Sequence, residues 1–161
     1  MGLLAFISGC FGGNKPEISQ LDEIESKFLT ENFKLGYRLL VKVLGEQEKF
    51  ELLEIDRAVS IIRDDFTGYG YTHDQVIEQI GTYLGEVIKS ELPVQWFTYT
   101  DKRGKDYILV HEEIAVFTFP YSAIYKALIE GRNGALEEVF NSFKEQIDEH
   151  IDSAEVERVS S

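Results

Sequence analysis

The sequence predicts an α+β fold: a helical N-terminal half, a three-stranded antiparallel meander at about 94–119, and two C-terminal helices packing on the sheet. Three observations carry this. Apolar residues recur at helical spacing before Pro93 and again after Pro120. Between the two prolines the chain is dense in aromatic and β-branched residues, as strands are. The turns within that stretch are too short for a parallel crossover, and the strands cluster instead of alternating with helices.

At 161 residues the chain has the length of one domain, and such a chain buries roughly 70% of the surface its unfolded form exposes. Residues 1–15 read as an apolar segment and linker, 16–150 as a single α+β domain, and 151–161 as an acidic tail. Pro16 suits the first turn of a helix, with Ile18, Leu21, Ile24 and Phe28 as its apolar stripe and Asp22, Glu23 and Glu25 on the solvated side. Residues 31–44 fit two patterns. Phe33, Leu35, Tyr37, Leu39, Val41 and Val43 alternate as in a strand, while Phe33, Tyr37, Leu40 and Leu44 form a helical stripe; the length and the lack of a preceding β-turn favour a helix ending at Gly45. A further helix, Phe50 to Asp64, turns Leu52, Leu53, Ile55, Val59 and Ile62 inward. Gly68–Tyr71 reads as a loop. Thr72 and Gln75 form a capping box, so a helix starts at His73 and runs along Val76, Ile80, Tyr83, Leu84 and Ile88. Gly81 and Gly85 each cost about 1 kcal/mol against Ala inside a helix. A face without side chains offsets that if another element approaches closely, which makes this helix the candidate layer over the sheet. Strands follow at Val94–Thr100, Tyr107–His111 and Ile114–Phe119, then helices at Tyr121–Glu130 and from Ala135 to about His150.

The formal charge is −13, from 16 basic and 29 acidic residues. A nucleic-acid binder needs a basic face, and an anionic membrane surface repels such a chain, so neither partner is expected. From Ala135 to Arg158 there are eight acids and two bases, or −6. The single cysteine excludes an internal disulfide and any multi-cysteine metal framework. No apolar run reaches the ~18 residues of a membrane span. Ile7–Cys10 resembles the lipobox of bacterial lipoproteins, but no basic residue precedes it and the apolar stretch Gly2–Ile7 is short for a signal sequence. The favoured reading is an apolar segment that tucks onto the domain, a free Cys10 thiol and a cytoplasmic home; lipid anchoring in the envelope through Cys10 is the alternative.

Candidate chemistry is sparse. His73, His111 and His150 lack the spacing of a metal set, and no P-loop or nucleophile elbow occurs. No catalytic residue, metal or cofactor is assigned. Glu86 follows the glycine face of a buried helix and would need a partner there or a shifted pKa; Lys89, three residues on, can supply that partner. Asp64 and Asp65 could chelate a cation but suit a helix end. Tyr69 and Tyr71 are able to anchor a partner, since aromatic residues dominate interface hot spots. Trp96 and Tyr99 fall on opposite faces of one strand.

Gly81-Thr-Tyr-Leu-Gly85-Glu86-Val87, followed by Trp96, Phe119-Pro120, Lys126 and Gly131, resembles bacterial domains of unknown function with a G-x-Y-L-G-E-V … W … F-P … K … G pattern. The resemblance spans roughly residues 50–145. It implies a small α+β fold and a bacterial source, and no activity. The sequence therefore favours a non-catalytic protein-binding domain over an enzyme. An immunity-type inhibitor covering a basic toxin is its most concrete form, by analogy with other small acidic α+β proteins. A hydrolase-like enzyme using Glu86, Asp64 and Asp65 is the alternative from another class.

Overall fold

In a computed structural model, the structure describes residues 15–159, with side chains to residue 153. The apolar N-terminal segment and Cys10 lie outside the described residues. The elements run β1 (Glu17–Gln20), α1 (Glu23–Leu44), α2 (Leu52–Asp64), α3 (Phe66–Tyr69), α4 (His73–Glu91), β2 (Gln95–Asp101), β3 (Gly104–His111), β4 (Val116–Thr118), α5 (Pro120–Leu128) and α6 (Ala135–Val159). The fold is α+β, with the helices gathered on one side of an antiparallel sheet of order β1-β2-β3-β4.

The meander is as expected, but a fourth strand joins it. Ile18 pairs with Tyr99 and Gln20 with Phe97, so the first apolar residues belong to a strand and not to a helix beginning at Pro16. The reason lies at Asp22 and Glu25. The Glu25 amide donates to Asp22 Oδ1 at 2.8 Å, and the Asp22 amide donates to Glu25 Oε2 at 2.9 Å. This reciprocal cap satisfies two otherwise orphaned donors and fixes the start of α1. It also inverts the expected faces: Ile24 is 80% exposed, while Glu25 is buried. Glu25 accepts a hydrogen bond from Thr98 Oγ1 at 3.0 Å and pairs with Lys105. Residues 31–44 are helical, within α1.

The Glu25 carboxyl is held below the usual carboxylate range, first by its hydrogen bond to Lys105 and then by the Asp22 amide. A lowered folded-state pKa gives stability that is present above the unfolded value and lost as pH falls through the folded one. Unfolding free energy should therefore drop on acidification below about pH 4.3, the ordinary glutamate value. Glu25→Gln should flatten that acid limb, as read from urea midpoints across pH.

Helix packing follows the small residues. The α1–α4 contact is tight at Gly36, where an added Cβ would fall on the backbone carbonyl of Gln79. A Cβ at Gly85 would enter the Trp96 ring, and one at Gly81 would lie 2.6 Å from Tyr121 Cδ1. The two glycines of α4 thus admit an aromatic from β2 and one from α5, as their spacing suggested. Thr72 and Gln75 cap α4 reciprocally at 3.2 and 2.9 Å. Of Gly68–Tyr71, expected as a loop, Gly68 and Tyr69 belong to the short α3, which Gly70 closes in the left-handed conformation. Leu53 is 72% exposed, against expectation; Ile55, Ala58, Val59 and Ile62 are the buried face of α2. The segment expected as an acidic tail continues α6 to Val159. Among the described residues no helix is long and apolar enough to cross a membrane.

Candidate functional site

The side chains singled out in the sequence separate in space. Glu86, on α4, accepts a hydrogen bond from Trp96 Nε1 at 2.7 Å and pairs with Lys89 at 3.3 Å. Its carboxylate thus ties α4 to β2 beside the Gly85 contact. Asp64, at the end of α2, lies 3.7 Å from Arg63 and points largely to solvent. No hydrogen bond or ion pair joins Glu86 to Asp64 or Asp65 among the described residues. Tyr69 and Tyr71 are half-buried against the helical core, with the Tyr69 carbonyl accepting from Lys42 Nζ at 2.9 Å and Lys42 lying 5.0 Å from the Tyr71 ring centre. Trp96 faces the helices, edge-on to Tyr121, whereas Tyr99 sits on the opposite sheet face with Phe117 and Phe119.

The Glu86 bridge makes a quantitative expectation. Glu86→Ala strands the buried indole N–H and should cost about 1.5 kcal/mol, the low end for a hydrogen bond to a charged group because Glu86 is partly solvated. Glu86→Gln retains an acceptor and should cost well under half of that. Trp96, the only tryptophan, reports both variants by its emission during unfolding.

A cleft that sequence reading did not single out opens where the start of α4 meets β3 and α5. Its volume is about 290 Å³, and it is lined by Asp74, Ile77, Glu78, Asp106, Tyr121, Ser122 and Tyr125. The capping box at Thr72 sets the helical phase that puts Asp74 and Glu78 on one face, one turn apart. Asp106 comes from β3, opposite Tyr99 in the register. Pro120 opens α5 and sets Tyr121, Ser122 and Tyr125 along the third wall. Thr82 Oγ1 donates to the Glu78 carbonyl at 2.7 Å, so the Tyr121 hydroxyl donates to Thr82 Oγ1, also at 2.7 Å. Burial raises the Tyr121 pKa further above its ordinary value, leaving it a neutral hydrogen-bonding wall.

Among the described residues the cleft lining contains three carboxylates and no lysine or arginine. Among the described residues Asp74, Glu78 and Asp106 make no ion pair. Burial pushes the Asp106 carboxyl upward, opposed by the Tyr107 amide that donates to it at 2.8 Å. Burial, and then the charge of Asp74, pushes Glu78 upward as well. A second opening on the far side of Asp106 and Ser122 is lined also by Tyr99, Phe119, Asp101, Arg103 and Lys105; there Arg103 is engaged by Asp101 at 3.1 Å. Among the described residues no group of three or more His, Cys, Asp or Glu is arranged to hold a metal ion. The local signal for the cleft was the acidic pair Asp74/Glu78 flanking Ile77. Asp106 gave none, because it joins the same lining only through the tertiary fold.

The family model of a domain of unknown function, DUF3806, matches residues 60–140. The chain belongs to this family. The matched DUF3806 region takes in the end of α2, all of α4, the meander and α5, and so contains every residue lining the acidic cleft. No curated protein matches the chain. A crystal structure from Bacteroides thetaiotaomicron is similar, with a TM-score of 0.60 at 16% identity, over 79% of this chain and 46% of that one. At that identity the likeness shows the fold alone, and this DUF3806 chain spans less than half the length of its structural relative.

Proposed function

We propose that the chain is a non-catalytic protein-binding module for a basic partner, with an immunity-type inhibitor of a basic toxin as the specific form. The observation that carries this is the cleft of Asp74, Glu78 and Asp106, three carboxylates between tyrosine walls with no lysine or arginine among the described lining residues. A lysine or arginine side chain of a partner supplies the missing charge, and Tyr125, 46% exposed at the rim, offers a ring face to the same cation. The overall charge of −13 supports fast, salt-dependent encounter with such a partner.

The test is purification of the tagged full-length chain from its native host at low and high salt, beside the Glu78→Gln/Asp106→Asn double variant. The expected result is one stoichiometric basic protein, lost at high salt and weakened at least about tenfold in the variant. Because burial holds both carboxyls above their usual range, binding should also fade on acidification at a higher pH than ordinary carboxylates would give. A partner retained equally at both salts and by the variant overturns the reading, as does an absence of any partner. Asp106→Asn alone should raise stability at neutral pH. Its folded-state pKa is raised, so the ionised form is the one that folding disfavours. The gain should vanish as pH falls and the native carboxyl takes its proton, read as a urea midpoint that converges on wild type in acid.

A further inference from the structure

The sheet has a second apolar face, turned away from the helices. Ile18, Phe97, Ile108 and Val110 form a core cluster there, separate from the helical core. Ile108 and Val110 are 0% exposed. The described hydrophobic residues packed against the four are Tyr99, Phe117 and Phe119, which come from the sheet and the residue directly after it. Neighbours in the same sheet stand beside a strand side chain, not above it. A central-strand isoleucine on such a face needs a second layer to exclude water.

We infer that this outer face is the docking surface for the chain's own apolar stretch Gly2–Phe11. Three features of the sequence fit it. Leu3, Leu4, Phe6, Ile7 and Phe11 supply large apolar side chains, and no charged residue occurs between Gly2 and Asn14. The stretch leads directly into β1, the edge strand that carries Ile18 on this same face. The reach is also sufficient: the seven residue steps from Phe11 to Ile18 extend up to about 23 Å, against about 14 Å across four strands spaced at about 4.8 Å. Gly12 and Gly13 provide the freedom to turn back over the sheet. The cover is distinct from the acidic cleft, so it stands apart from the partner reading above.

Cys10 is the only cysteine of the chain, and a nitroxide placed on it in the full-length protein tests the docking by paramagnetic broadening. The expected result is selective loss of the amide signals of Phe97, Ile108 and Val110, with those of Ile55 and Val59 on α2 retained. Leu4→Asp/Ile7→Asp should restore the lost signals and raise binding of an apolar dye. A second attachment site, Ser8→Cys in a Cys10→Ser background, should reproduce the pattern if labelling at Cys10 perturbs packing. Absence of selective broadening from both sites overturns the inference. So does broadening that appears when spin-labelled chain is mixed with isotope-labelled Cys10→Ser chain, because the cover is then a second copy. A chain from the native host whose mass shows cleavage before Cys10 and acylation of its thiol overturns it as well.

Discussion

Phe50→Ala should lower the unfolding free energy by about 3–5 kcal/mol, the range for emptying a buried phenylalanine site. Phe50 lies in the connection between α1 and α2 yet is fully buried. Its ring meets Tyr37 at 5.9 Å and Tyr83 at 6.1 Å between centroids, so aromatics of α1 and α4 close around it. Its own amide donates to the Tyr83 hydroxyl at 3.0 Å, and the Tyr37 hydroxyl donates to the Gln47 carbonyl at 2.6 Å. The connection is thus pinned by side chain and backbone together, and the surrounding rings are too large to collapse into the space left by alanine. A shift in urea midpoint at unchanged slope would register the loss as one of stability. A loss below about 1 kcal/mol would mean that the rings relax into the gap.

Gly36→Ala ranks next. On an exposed helix that exchange stabilises by about 1 kcal/mol. Here the new methyl falls on the Gln79 carbonyl and 3.1 Å from Tyr83 Cβ. A rigid backbone atom cannot rotate aside, so α1 and α4 must separate along the most extensive helix contact of the fold. Overpacking of this kind costs about 1–3 kcal/mol, and the propensity gain offsets only part of it. Net destabilisation with unchanged helical content by circular dichroism is the expected outcome; a stabilised variant would show that the crossing has slack. Gly45→Ala would not serve as a control, since Gly45 has a positive φ.

Much of this arrangement could be read from the chain, and the failures share a cause. The Thr72–Gln75 cap was legible because both halves of its chemistry lie within one turn. Gly81 and Gly85 signalled a close approach because two unfavourable residues one turn apart need a compensating contact, and Trp96 and Tyr121 are that contact. Gly36 carried the same meaning but stood alone, inside a stretch where two periodicities competed. The strand β1 escaped because Pro16, Ile18, Leu21 and Ile24 imitate the start of a helix, while its pairing partner, Tyr99, is remote in sequence. Helical phase alone places Glu25 in solvent; Thr98 and Lys105, which draw it inward, belong to the sheet. The acidic cleft was invisible for the same reason: Asp74 and Glu78 are local to each other, but Asp106 reaches them only once β3 and α4 are placed.

The remote pairing of β1 bears on the order in which the molecule assembles and comes apart. The hairpins β2–β3 and β3–β4 close over a few residues, whereas Ile18 and Tyr99 bring together distant parts of the chain. Loop-closure entropy makes such a contact slow to form unless intervening structure has already drawn its ends together. The β1 amides should therefore be among the first ordered ones to exchange with deuterium, ahead of those of β3, whose neighbours flank it on both sides.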